Sequence, residues 1–297
     1  MSEQPRASVW GDAAQLIDIV DVRRESDLRF VSVTRSDTGE SAHRNVVEAS
    51  QMLGQALVAG ARHTPGRRMV SGQMVFFRPA DTQLPLLFEL TELSSGRTLT
   101  ALGVQVSQKE KPRAAGTLLL DATSADVVRH AVPAPHCPGP GDCVPYDMGV
   151  VGREIRVADA AYTDDPQAPA GPPVIDAWVR FAEVPDDPPL HAALLAQFTG
   201  HMSLAAALRP HAGIGQSEAH RTLSMGINAI SLSLHADVHA DRWLRYHHHS
   251  TYAGDGMTHA ECRVYTEPGD LVASFTVDAM LRRFRAGGQA VDPRTAL

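Results

Sequence analysis

One order of elements occurs twice in this chain, and it limits what the chain can fold into more than any other feature. In the first half, NVVEASQMLGQALVAGARHTPG sets Val46, Ala49, Leu53, Ala56, Leu57 and Gly60 at spacings of three and four, which predicts a helix with one buried face. His63 to Arg67, HTPGR, ends it. Strand-like stretches follow: MVSGQMVFFRPA, then LPLLFELTELSSGRTLTALGVQVSQKE with a turn at Ser94 to Gly96, then PRAAGTLLLDA. In the second half, LHAALLAQFTGHMSLAAALRP lines up Leu190, Ala193, Leu194, Gln197, His201, Leu204 and Leu208 on one helical stripe that Pro210 closes. TLSMGINAISLSLHADV, RWLRYHHHSTYAG, MTHAECRVYTEPGDL and VASFTVDAMLRRF then read as strands, with EPGD as a tight turn. A long apolar helix ahead of antiparallel strands is what a sheet curled around a central helix requires. Residue identity between the halves is faint, so the repeat is one of element order.

Between the halves, Ala131 to Pro173 is rich in proline and glycine and reads as a joint. Within it, VVGREIRVADAAY, Val150 to Tyr162, alternates apolar and polar residues and predicts a strand. The expected organisation is an N-terminal unit over 1–130, a linker over 131–173 and a C-terminal unit over 174–297, each unit with its own core. No run of apolar residues is long enough to span a bilayer. The start, with Glu3, Asp12 and Asp18, lacks a basic region followed by an apolar run, so a cytoplasmic protein is expected. A net charge of −7 without a basic block speaks against nucleic acid. Three cysteines suit a reducing compartment, and HCPGPGDC, with His136, Cys137 and Cys143, has no second ligand pair to complete a zinc site.

The residues carry a resemblance. QMLGQALVAGARHTPGRRMVSGQMVFFRPADTQLPLLFELTELSSGRTLTALGVQVSQ resembles the N-terminal half of the acyl-CoA thioesterase II family, in which a glycine-glutamine helix leads to a strand ending in an Arg-Pro pair, here Arg78-Pro79. LHADVHADRWLRY and EPGDLVASFTVDAMLRRF resemble its C-terminal half, with an aromatic-His strand, an acidic-Trp-Leu segment and a Val-Ala-Ser strand near the end. The likeness covers most of Val46 to Phe284. It implies an α+β fold, a double hotdog with two antiparallel sheets each curled around a long central helix, and an active site between the two units. It also implies hydrolysis of an acyl-CoA to the free acid and CoA, with no cofactor or metal, and it is compatible with a homo-oligomer joined through sheet edges.

That family holds its water with an aspartate, a glutamine and a threonine or serine from the C-terminal hotdog. Counted from Trp243 to Tyr246, the hydroxyl position falls on Thr251. Alignment on His235 puts the aspartate position on Ala229, and only a one-residue bulge brings Asn228 there. Alignment on Val272 to Ser274 puts the glutamine position on Val277, and a similar slip gives Asp278. With both slips the carboxylate and the amide exchange places: Asp278 becomes the base, Asn228 the amide that orients water, and Thr251 the hydroxyl. Without them Thr251 has no base. A one-residue shift turns a side chain to the other face of its strand, so the two arrangements are distinct.

In YHHHSTYAGDGM, His247 and His249 share one strand face and His248 takes the other. The pair carries no carboxylate at metal-ligand spacing, which leaves solvation, substrate contact or proton transfer. His201 lies on the apolar stripe, as a core histidine or as lining of an acyl channel. Gln51 and Gly54 are candidate substrate contacts, glycine because it permits close approach. Glu48 needs only the favourable electrostatics of a helix start, and Arg62, Arg67 and Arg68 are candidates for CoA phosphates. Two rival functions keep the fold: a lyase, hydratase or dehydratase acting on an acyl thioester, or a non-catalytic acyl-CoA binding protein.

Overall fold

In a computed structural model, which describes residues 13–32, 46–148, 152–162, 165, 167–215, 218 and 222–284, the chain opens with a short helix α1 (Ala13–Val20) and the hairpin β1 (Val22–Ser26) and β2 (Arg29–Ser32). Glu3, Asp12 and the start of the strand expected from Val150 lie outside the described residues. The first apolar stripe forms α2 (Ala49–His63), followed by β3 (Arg68–Phe76), β4 (Leu87–Ser95), β5 (Leu99–Gln108) and β6 (Lys111–Asp121). The second half repeats that plan. Two-residue β7 (Val144–Pro145), then β8 (Arg153–Val157) and β9 (Val174–Phe181), lead to α3 (Pro188–Phe198) and α4 (Ser203–Leu208). Then come β10 (Leu223–Leu234), β11 (Leu244–Gly254), β12 (Met257–Thr266) and β13 (Leu271–Arg283).

The two expected sheets are one. The thirteen strands among the described residues hydrogen-bond in the order β1-β2-β4-β5-β6-β3-β10-β13-β12-β11-β9-β8-β7, with the four strands after each long helix in the same order outward from the β3–β10 seam and β7 as an extra strand on the C-terminal side. The seam pairs Val75 with Ala229 through Ser71 with Ser233, antiparallel. Each half offers the strand after its helix as an open edge, and the two edges satisfy one another's backbone groups. The core is continuous as well: one apolar cluster includes Leu53 and Leu57 of α2, Phe88 and Leu102 of the first half, and Leu194, Phe198, Tyr246 and Phe275 of the second. The separate cores expected from length are thus merged.

The stripe read as one helix over Leu190 to Leu208 is broken. Met202 adopts a left-handed conformation (φ 66°), and the Thr199 hydroxyl donates back to Ala196 O at 2.6 Å, which closes α3 before α4 begins. His201 therefore sits in the break and not on a helix face.

α2 and α3 run side by side in opposite directions. Gln197 near the end of α3 reaches Glu48 at the start of α2 (3.0 Å), and Arg62 at the end of α2 approaches Asp187 ahead of α3 (4.0 Å). Their backbones touch: a Cβ on Gly54 would stand 2.8 Å from Ala193 O.

The proline-rich segment lies on the sheet. On the face away from the helices, Arg245 Nη1, Trp178 Nε1 and Arg156 Nη1 donate to the carbonyls of Pro135 (2.8 Å), Pro138 (3.0 Å) and Pro140 (3.2 Å). Among the described residues no helix is long and apolar enough to cross a membrane.

Gly54 yields a signed prediction. Alanine in a helix interior normally gains about 1 kcal/mol over glycine, but here the added methyl meets backbone, and overpacking costs about 1–3 kcal/mol. Gly54→Ala is expected to lower the unfolding free energy in urea titrations, whereas a rise would mean that the two helices separate at no cost.

Candidate active site

Two β-bulges organise the second half. Across β10 and β13, Ile227 pairs with Ala279 and Ala229 with Asp278, so Asn228 is the extra residue. The bulge that the alignment required is present at this position. The Oδ1 of Asn228 is closed to solvent and has no hydrogen-bond partner among the described residues. Across β11 and β12, Ser250 pairs with Ala260 and Tyr252 with His259, which makes Thr251 the extra residue, and Thr251 is exposed. Its neighbour Ser250 is buried and donates at 3.4 Å to the carbonyls of Tyr252 and His259.

The second slip is absent. From Met280 to Ala273 the pairing of β13 with β12 is unbroken, so Val277, 1% exposed, faces the helices and Asp278 faces away. The Asp278 side chain is 49% exposed, and its Oδ1 lies 2.7 Å from His259 Nδ1. Asn228 and Asp278 are thus neighbours in register, one oxygen closed to solvent and the other carboxylate half open to it. Thr251 lies two strands beyond Asp278. The sequence-based exchange of carboxylate and amide is corrected at Asp278: an intact β-ladder keeps its side chain on the far face.

The histidine triplet divides as strand alternation predicts. His247 Nδ1 meets Asp176 Oδ1 at 3.0 Å on the face away from the helices, and His249 shares that face, so neither is brought to the helix side as a substrate contact. His248 points inward, with Nδ1 3.1 Å from the Ser203 hydroxyl and Nε2 without a partner. Burial, with His247 and His201 adding repulsion, pushes its imidazole down to about 3. Burial pushes the adjacent Cys262 thiol up to about 12. A neutral imidazole beside an undissociated thiol is packing and not a nucleophilic pair.

A polar cluster that sequence reasoning did not assemble lies where the α2 start meets the α3–α4 break. Arg153 Nη1, from the helix-facing side of β8, donates to Gln197 Oε1 at 2.9 Å, and Gln197 Nε2 donates to Glu48 Oε2 at 3.0 Å. His201 Nε2 stands 3.5 Å from the same Glu48 oxygen and 3.4 Å from Arg153 Nη1. Burial lowers Arg153 to about 10 while Glu48 opposes the shift, so the guanidinium remains charged at neutral pH. The signal in the sequence was Gln197, an amide on an otherwise apolar stripe. Close by, Ser50 Oγ would stand 2.4 Å from a Cβ on Gly200, and Ile227 Cδ1 3.3 Å from it, so the first turn of α2, the helix break and the β10 bulge meet at one place. Ser50 Oγ and Gln51 Oε1 are buried without partners.

Other expected contacts have structural employment. Gly54 packs against the α3 backbone at Ala193. Arg62 bonds Asp21 at 2.6 Å, and Arg67 donates to the carbonyls of Gly96 (2.6 Å) and Thr98 (2.8 Å). Arg68 pairs with Asp121 at 3.7 Å.

The pattern of the acyl-CoA thioesterase N-terminal domain matches residues 41–120, and that of the acyl-CoA thioesterase C-terminal domain matches residues 130–280. The chain belongs to the acyl-CoA thioesterase family. Among curated relatives of this family, human acyl-coenzyme A thioesterase 8 is 23% identical over 257 residues, covering 78% of this chain and 79% of that one. Among solved structures, the tesB protein of Mycobacterium avium subsp. paratuberculosis superposes with a TM-score of 0.75 at 22% identity, covering 91% of this chain and 100% of that one. The acyl-CoA thioesterase II TesB2 of Mycobacterium marinum gives 0.74 at 21%, covering 91% and 98%. A protein with a hot dog fold from Alicyclobacillus acidocaldarius gives 0.70 at 15%, covering 89% and 97%, which supports the hotdog assignment.

His248 makes the stability of this thioesterase-family chain depend on pH. Its folded pKa lies near 3 against 6.5 when unfolded, so the unfolded state binds more protons in that window and stability is lost as pH falls through it. Urea unfolding at several pH values between these limits is expected to show stability falling with pH in the native chain and a shallower fall in His248→Gln. Equal slopes would place the acid sensitivity elsewhere.

Proposed function

We propose that this chain hydrolyses an acyl-CoA thioester to the free acid and CoA, at the junction of the α2 start, the α3–α4 break and the β10 bulge. The observation that carries the reading is the set of buried acceptors left open there: Ser50 Oγ, Gln51 Oε1 and Asn228 Oδ1. An unmet buried polar group costs about 1–3 kcal/mol, which a bound water or substrate group offsets.

Chemistry follows from the same elements. The first hydrogen bond of α2 runs from Met52 N–H to Glu48 O, so the amides of Ala49, Ser50 and Gln51 precede it, and Glu48 forms no side-chain cap. Such amides at the positive end of a helix stabilise the oxyanion that forms when water adds to a thioester carbonyl. Asn228 Oδ1 accepts a hydrogen of the attacking water and orients its lone pair. Thr251, exposed on its own bulge, enters only as a contact to substrate arriving from outside. Asp278 takes no part.

Thiol release from acyl-CoAs of graded chain length tests the reading. Hydrolysis is expected, with Asn228→Ala lowering kcat about 10²-fold and Asp278→Asn staying within about twofold of the native chain. Absence of thiol at every chain length would end the proposal, and a mass change in the acyl chain with the thioester intact would replace it with lyase or hydratase chemistry.

A further inference from the structure

The proline-rich segment carries two of the chain's three cysteines, and its path brings them together. In CPGPGDC, Cys137 to Cys143, the backbone turns back on itself: Pro140–Asp142 form a single 3-10 turn, the Asp142 amide donates to Gly139 O at 3.0 Å, and the Cys143 amide donates to Pro140 O at 3.4 Å. The Cys143 thiol then donates at 3.6 Å to Pro138 O, the carbonyl of the residue after Cys137. Both side chains pack on one small apolar cluster with Ala158 and Trp178, apart from the main core. Each thiol is close enough to the other to affect its ionisation. Cys262 is buried elsewhere, on the helix-facing side of β12 beside Ser203 and His248.

We propose that Cys137 and Cys143 are a dithiol that closes to a disulfide when the chain meets a peroxide, and that the bridge latches the proline-rich segment over the C-terminal edge of the sheet. Neither thiol takes part in the hydrolytic reading above. Cys143 immediately precedes β7, which pairs Val144 with Val157 and Pro145 with Arg156 of β8 and is the last strand of the sheet among the described residues. A sheet edge offers unpaired backbone groups to any passing chain, and native folds cover it. Here the cover is two residues long, and Pro145 has no amide hydrogen to give the ladder. A bridge from Cys143 to Cys137 ties the start of that cover to the stretch that Trp178 and Arg245 already hold, so the edge opens less often.

The step balances with peroxide as the oxidant. Cys137 is partly exposed and Cys143 buried, so peroxide meets Cys137 first. Its sulfur, once the proton has left, bonds to one peroxide oxygen; the O–O bond breaks and the departing hydroxide takes that proton as water. Cys143 then bonds to the resulting sulfenic sulfur, the S–O bond breaks, and the Cys143 proton leaves with the oxygen as a second water. Two sulfurs lose the two electrons that the peroxide gains. Burial, with Asp176 adding repulsion, pushes the Cys137 thiol up to about 11 against the pull of Arg245. Closure is therefore slow and answers sustained oxidant, while a reduced form that gains no thiolate stabilisation favours the bridge at equilibrium.

The experiment equilibrates the native chain in glutathione buffers of graded potential, folded and in urea, then alkylates the remaining thiols and weighs the peptides. The Cys137 to Cys143 bridge is expected to be held about tenfold or more tightly in the folded chain. Equal or weaker holding would mean that the folded segment opposes closure, and it overturns the proposal. Hydrogen peroxide on the folded native chain is expected to give the same bridged peptide with Cys262 still alkylated, and Cys143→Ser to stop at a sulfenic acid on Cys137. A bridge to Cys262, or no bridge at any peroxide dose that leaves the fold intact, overturns it as well. Amide hydrogen exchange reads the latch: oxidation of the native chain is expected to slow exchange across β7 and β8 by about tenfold or more, and unchanged exchange there refutes the closing of the edge.

Discussion

The contact of α2 with α3 at Gly54 and Ala193 is the constraint on which the rest of this structure depends. Two helices that meet backbone to backbone cannot slide or rotate without a clash, so their ends are fixed relative to each other. The start of one is held against the interrupted end of the other, and Glu48, Gln197 and His201 are neighbours for that reason. The β3–β10 seam fixes the same relationship on the sheet side. Helix packing and strand pairing therefore specify one registry of the halves from opposite faces of the core.

Within that frame, single-residue insertions decide which atoms meet. The extra residue in β10 gives Asn228 a place outside the regular alternation, and its amide oxygen ends in the interior. On β13 the ladder continues unbroken, and a valine occupies the corresponding inward position. The helix-facing surface of β12 and β13 is consequently mostly apolar, with Thr258 and Cys262 buried among Ala260, Phe275 and Val277.

The repeated order of a helix and four strands was legible because it rests on local periodicity: the stripes around Leu53 and Leu194 and the alternation around His248 survive into the structure, whereas α1, β1, β2, β7 and β9 went unread. The family was legible in the Arg78-Pro79 strand end and the Trp243 to Tyr246 segment. The fusion of two sheets was not, since an edge strand such as β3 carries no mark of what pairs with it. Nor was the helix break, because Met202 is an ordinary helix former whose left-handed conformation is imposed by tertiary packing. At the site, the bulge at Asn228 followed from alignment, whereas Arg153 lay in a stretch read as a linker and had no periodic partner to point to Gln197. Asp278 shows the limit of the method: one residue of register separates an interior acid from a surface one, and only the pairing itself decides.

The segment from Pro135 to Pro140 is held largely through main-chain oxygens, with Arg245, Trp178 and Arg156 of the strands beneath it as donors, while Cys143 donates to the Pro138 and Pro140 carbonyls. A ribbon read this way suits proline, which offers a carbonyl but no amide hydrogen, and it asks little of the other side chains along its length. Substitution there is tolerable at exposed positions that keep the extended path, but not at Cys137, which packs against the Trp178 cluster, or at buried Pro140.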